Sequence, residues 1–198
     1  MQKFEEKKFN IPKLKGISDK TIEEHLKLYA GYVNHTSLVS GKIAELLERA
    51  EENMGLLSGL QRRFAFEFDG MRNHEYYFAS LENGPKNLEE ESELKKQIKN
   101  DFESFEKWLD CFKSLATTRG VGWAMLYWDP HSKQLLNQWV DEHHLGQLSG
   151  CAPILALDMW EHAFVADYQP SGKKQYIEDF FENLNWQKIE EDFKEVLE

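Results

Sequence analysis

The sequence predicts an α+β fold in which an antiparallel helical hairpin precedes a region that mixes short strands with further helices. Three observations carry this. Two long stretches near the N-terminus repeat apolar residues every third or fourth position, three short apolar-rich runs come after them between turn residues, and two more amphipathic stretches close the chain. With 198 residues, 41% of them apolar, the chain has enough material for one domain or two small ones.

Residues 1–17, with Pro12, Gly16 and alternating charge, read as an extended lead-in, and Ser18 or Asp19 can cap the first helix. From Thr21 to about Ala50, Ile22, His25, Tyr29, Tyr32, Val33, Val39, Ile43 and Leu46 recur at helical spacing, with Glu23, Glu24, Lys27 and Glu48 on other faces. After Asn53-Met54-Gly55 a second helix is expected over about Leu60–Leu81, with Met71, His74, Phe78 and Leu81 on one face. Gly84-Pro85 ends it, so residues 1–86 are read as a helical hairpin domain and 87–198 as a second domain. Leu94, Ile98, Phe102, Phe105, Leu109 and Phe112 announce a third helix. Trp123–Trp128 and Leu135–Val140 flank a turn at Asp129-Pro130-His131-Ser132 and read as a strand hairpin. Pro153–Leu157 is a third strand, and Tyr176–Trp186 and Ile189–Leu197 are closing helices.

Charge and composition exclude several classes. A formal net charge of −11 without a basic stripe argues against nucleic acid as a partner. No stretch approaches the roughly 18 apolar residues of a spanning helix, so no membrane role is expected. Charges at Lys3, Glu5 and Glu6 stand where a secretory signal would be apolar, which points to a cytoplasmic protein. Cys111 and Cys151 are too few for a disulfide framework and are read as free thiols.

The chemistry centres on Asp158-Met159-Trp160-Glu161-His162. A carboxylate at the end of a buried strand needs a partner, because an unpaired buried charge costs several kcal/mol or neutralises itself. His162, four residues on, can face the same point if the chain turns helical between them. His25 and His74, one from each arm of the hairpin, lie on faces that should pack inward. Singly, each is more often a core histidine than a ligand. Together, three histidines and a carboxylate form a nitrogen-and-oxygen set suited to a first-row transition metal rather than to calcium or magnesium.

The segment Asp158-Met159-Trp160-Glu161-His162-Ala163-Phe164, with Asp167-Tyr168 after it, resembles the signature of the iron/manganese superoxide dismutases. His25 with Tyr32-Val33-Asn34, Asn73-His74 with Tyr77-Phe78, Gly120-Val121-Gly122-Trp123-Ala124-Met125-Leu126 and Leu184-Asn185-Trp186 resemble further family segments, in the family's order. The resemblance implies an N-terminal helical hairpin and a C-terminal α/β domain with a three-stranded antiparallel sheet. One iron or manganese ion per chain would sit between them, held by His25, His74, Asp158 and His162. It implies superoxide as substrate and dioxygen and hydrogen peroxide as products, an antioxidant activity. Tyr32 matches a gateway tyrosine, and Trp123, Trp160 and Phe78 match aromatic positions around the pocket. His143 stands where some family members place the group that bonds the metal's solvent; read without the family, it is a surface histidine in a polar loop. Glu161 resembles a residue that bonds a ligand histidine of a partner subunit, which implies a homodimer.

The chain also departs from the family. His25 and Tyr32 are one residue closer than usual, Tyr29 replaces a histidine, Val165 replaces a tyrosine that reaches across the dimer, and Phe78 replaces a tryptophan. An arginine that guides the anion has no clear match beyond Lys173 or Lys174. These changes leave a second reading open: a metal-binding or structural protein that keeps the fold without efficient dismutation.

Overall fold

The computed structural model describes residues 3–197, so Met1, Gln2 and Glu198, at the ends of the expected lead-in and second domain, lie outside it. The lead-in, without helix or strand, straps across the hairpin. Phe4 N donates to Ser37 Oγ at 3.0 Å, Lys7 N to the Tyr29 hydroxyl at 2.9 Å, and Lys15 N to Asn183 Oδ1 at 2.9 Å. Ser18 is the cap of the first helix, its hydroxyl accepting from Thr21 N.

Helix α1 (Asp19–Leu47) and helix α2 (Ala50–Leu81) form the hairpin. The turn falls at Glu48-Arg49, so α2 begins about ten residues before the expected start at Leu60. Gly55 and Gly59 interrupt the sequence pattern, yet both lie inside α2. A helical glycine costs only about 1 kcal/mol, which continued backbone hydrogen bonding in a long helix absorbs. Thr21, Ile22, His25, Tyr29, Val33 and Thr36 form the buried stripe of α1, at spacings of one to four.

The expected third helix is two, α3 (Glu93–Phe102) and α4 (Phe105–Ala116). Glu103 adopts φ +69° between them, and Ser104 caps α4 by accepting from Lys107 N at 3.1 Å. The apolar spacing runs on through the break, which is why periodicity alone merges the two. Strands β1 (Gly122–Asp129), β2 (Gln134–Asp141) and β3 (Ala152–Asp158) form an antiparallel sheet in the order β2-β1-β3. Gly122 has no alternative, because a Cβ there would lie 2.2 Å from Val140 O on the neighbouring strand. Helices α5 (Lys173–Glu182) and α6 (Trp186–Leu197) close the chain.

The core runs from the hairpin through the sheet to the last helices and includes Trp108, Phe112, Trp123, Leu126, Leu155, Phe180 and Phe193, all at most 1% exposed. Helix α2 packs against β3, and α1 packs against the short 3-10 turn Glu161–Ala163 just past it. The C-terminal end of β3 thereby meets both arms of the hairpin. Cys111 is exposed, Cys151 is half-buried, and both are free. Among the described residues no helix is long and apolar enough to cross a membrane.

Candidate metal centre

Three stretches far apart in sequence deliver four side chains to a single point. His25 comes from the buried stripe of α1, His74 from the inward face of α2, Asp158 from the end of β3 and His162 from the 3-10 turn. One ligand atom from each lies within 4.8 Å of all the others. His25, His74 and Asp158 are fully buried, while the His162 side chain is 23% exposed. The bend after β3 is made by Asp158 itself, whose Oδ1 accepts from Trp160 N at 2.8 Å. That bond turns Oδ2 toward the histidines: His25 Nε2 is 3.0 Å away, His162 Nε2 3.1 Å and His74 Nε2 3.6 Å.

His74 shows most directly what the cluster is shaped to take. Its Nδ1 faces Gly70 O at 2.5 Å, and since a carbonyl only accepts, the proton sits on Nδ1. Nε2 is left as a bare lone pair, fully buried and without a hydrogen-bond partner. A buried acceptor with no donor costs about 1–3 kcal/mol, whereas a cation at the centre of the four atoms would satisfy it. Three imidazoles and one carboxylate suit iron or manganese, and the residues present fit such an ion.

The electrostatics agree. Burial pushes His25 and His74 below the ordinary histidine range, so both are neutral and able to donate a lone pair at neutral pH. Burial alone would raise Asp158, but His162 and His25 beside it outweigh that and hold its carboxyl below the usual range, ionised.

A second layer surrounds the cluster. The strand register sets Trp123 directly opposite Asp158, which brings the indole to the pocket wall. Phe78, one turn after His74, places its ring 4.9 Å from that of His25, and Trp160 stacks on His143 at 4.8 Å. His143 lies just past β2 and is fully buried rather than on the surface. Its loop is pinned by Asn73 Nδ2 and Gln147 Nε2, which donate to His143 O at 3.0 and 2.9 Å. Trp123 Nε1, a donor only, points at His143 Nδ1 at 3.0 Å. The neutral ring therefore carries its proton on Nε2 and donates it to the Tyr32 oxygen 2.7 Å away. Burial holds His143 at about 4, so that tautomer persists at neutral pH. Tyr32, raised by burial and by the charges of Asp158 and Glu67, keeps its own proton free to donate elsewhere.

The structure brings together all the predicted site residues except Glu161, whose side chain is exposed. Sequence reasoning missed Tyr176, whose hydroxyl donates to Asp158 O at 3.0 Å, and Gln147. Neither belongs to a recognisable pattern in its own segment. Besides its carbonyl's bond to His74, Gly70 makes room for Tyr32: a Cβ there would lie 2.7 Å from the tyrosine ring. Tyr29 turns inward, fully buried, and donates to Glu75 Oε1 at 3.2 Å.

A helical hairpin and a three-stranded antiparallel sheet that together enclose three histidines and an aspartate define a mononuclear transition-metal protein. Residues 90–192 match the family described as "Iron/manganese superoxide dismutases, C-terminal domain". The chain is 35% identical over 179 residues to an iron superoxide dismutase of Cupriavidus metallidurans, covering 89% of this chain and 88% of that protein. A manganese superoxide dismutase of Haloarcula marismortui is 35% identical over 170 residues, 85% of this chain and 81% of its own length. An iron superoxide dismutase of Aquifex aeolicus is 32% identical over 189 residues, 93% and 87% respectively. The chain belongs to the iron/manganese superoxide dismutase family.

Proposed function

We propose that this chain is a superoxide dismutase that converts superoxide to dioxygen and hydrogen peroxide, with His25, His74, Asp158 and His162 holding one iron or manganese ion. The observation that carries the reading is the convergence of these four side chains, with the buried Nε2 of His74 bare. The bound ion would supply a one-electron couple that takes an electron from one superoxide and gives it to the next. The protein's own groups do the rest. Asp158 contributes the negative charge that favours the more oxidised state, and Gly70 O fixes the coordinating nitrogen of His74. Trp123, Trp160 and Phe78 exclude bulk water. Along the chain Trp123 to His143 to Tyr32, each donor fixes the next group, so the Tyr32 hydroxyl keeps a proton to donate at the mouth of the pocket.

We read His143 as the group that sets the hydrogen bonding at the metal's solvent position through Tyr32. Glu161 is exposed beside His162, as a carboxylate meant for a partner subunit would be, and we propose a homodimer there and a cytoplasmic, antioxidant role. The changed positions Tyr29 and Val165 keep one competing reading alive, a metal-binding protein of this fold without efficient dismutation. Purified protein reconstituted with iron or manganese should hold about one ion per chain and remove superoxide, and Asp158→Ala should lose both. Absence of metal from the wild type refutes the ligand set; metal without dismutation favours the competing reading.

A further inference from the structure

Superoxide is an anion and the chain carries a formal charge of −11, so the overall field opposes its approach unless a cation stands at the entrance. On the Tyr32 side of the cluster the side chains are not sealed: Tyr32, Phe66 and Trp160 are half-buried. Arg63, in α2 and three residues before Phe66, lays its guanidinium over the Phe66 ring, 3.9 Å from the centroid. That ring in turn meets His143 at 4.7 Å and Tyr32 at 6.1 Å, centroid to centroid. Arg63 Nε also donates to Glu67 Oε1 at 2.6 Å.

This ion pair is lopsided. The Arg63 side chain is 53% exposed and that of Glu67 only 4%, so an anion arriving from solvent meets the cation first, with the carboxylate shielded behind it. Glu67 and the Phe66 face together keep the guanidinium on the rim instead of letting it sweep through solvent. The Arg63 charge is felt at His143 and, more weakly than that of Glu67, at Tyr32. Lys173, the lysine nearest in sequence to where the family's guiding arginine would stand, is committed elsewhere: its Nζ donates to Thr118 O at 2.8 Å and lies over the Trp139 ring.

Resting on the dismutase reading, we propose that Arg63 draws the superoxide anion to the cleft beside Tyr32 and that Glu67 holds it in place. The test compares the metal-loaded wild type with Arg63→Gln, Arg63→Lys and Lys173→Gln at ionic strengths from about 10 to 300 mM. For Arg63→Gln, kcat/KM should fall about threefold at low salt and converge on the wild type as salt screens the charge, with kcat and metal content unchanged. Arg63→Lys should keep most of the wild-type value. The dissociation constant for azide, a monovalent anion read by absorbance, should rise by a similar factor. The assignment is overturned by an unchanged salt slope, by a loss that is equal at every ionic strength, or by Lys173→Gln flattening the slope instead. If the wild type holds metal but does not turn over superoxide, the dismutase reading fails separately, and azide still reads the Arg63 charge.

Discussion

The four side chains of the inner cluster and the groups on its solvent side, Tyr32, Phe66, His143 and Arg63, are held by different kinds of structure. Each inner residue sits on or directly beside a regular element, and backbone orients two of them: Gly70 O for His74, Trp160 N for Asp158. The outer groups are oriented by side chains, His143 by Trp123, Tyr32 by His143, Arg63 by Glu67 and Phe66. Backbone geometry survives substitution of neighbours, whereas a chain of side chains does not. The inner half can therefore stay constant while the outer half is rebuilt.

Substitutions in the two layers should therefore have different consequences. An inner change should abolish metal binding and activity together. His74→Ala is expected to lower bound iron or manganese to background and activity by at least about a thousandfold, since no redox centre remains. Retained metal with reduced turnover would mean that three donors suffice.

Outer changes should leave the metal in place. His143 shares the acid loss of the metal-free fold with His25 and His74, and comparison with His143→Gln separates its part. Burial holds its folded pKa at about 4, below the ordinary 6.5, so the unfolded chain takes up the proton first. Its contribution to stability is thus fully present above pH 6.5 and is lost as pH falls toward 4, by at most about 3 kcal/mol. Urea titrations should show a shallower acid loss in His143→Gln than in the wild type; equal slopes would assign the loss to other groups.

Gly70→Ala drives a methyl group toward the Tyr32 ring and should cost about 2 kcal/mol of stability, with the tyrosine displaced and metal retained. Thermal unfolding and metal analysis check this. Tyr32→Phe, the smallest structural change, should lower turnover about a hundredfold at unchanged metal content, the low end of what one oriented proton donor supplies. A Tyr32→Phe protein with full activity would place the proton path elsewhere.

Much of this was legible in the sequence, and the reasons are specific. The buried stripe of α1 is periodic and the run before Asp158 is short and continuously apolar, so the elements carrying His25 and Asp158 could be read directly. The start of α2 and the break between α3 and α4 could not, because glycines in a long helix and a single residue at φ +69° leave the apolar spacing intact. His143 was ambiguous for a similar reason: nothing in a polar loop signals whether it is exposed, and contacts from distant segments, Asn73 and Gln147 on its carbonyl and Trp123 and Tyr32 on its ring, hold it inward.

By itself, then, the sequence determined the donor set and the elements that carry it, because ligand type is chemistry and helix or strand is periodicity, both local properties. Only the tertiary structure decided which nitrogen of His74 is bare, which tautomer His143 adopts, why residue 70 must be glycine, and that Arg63 stands at the rim. Each of these depends on the distance between residues from different segments, and no one-dimensional pattern encodes that distance.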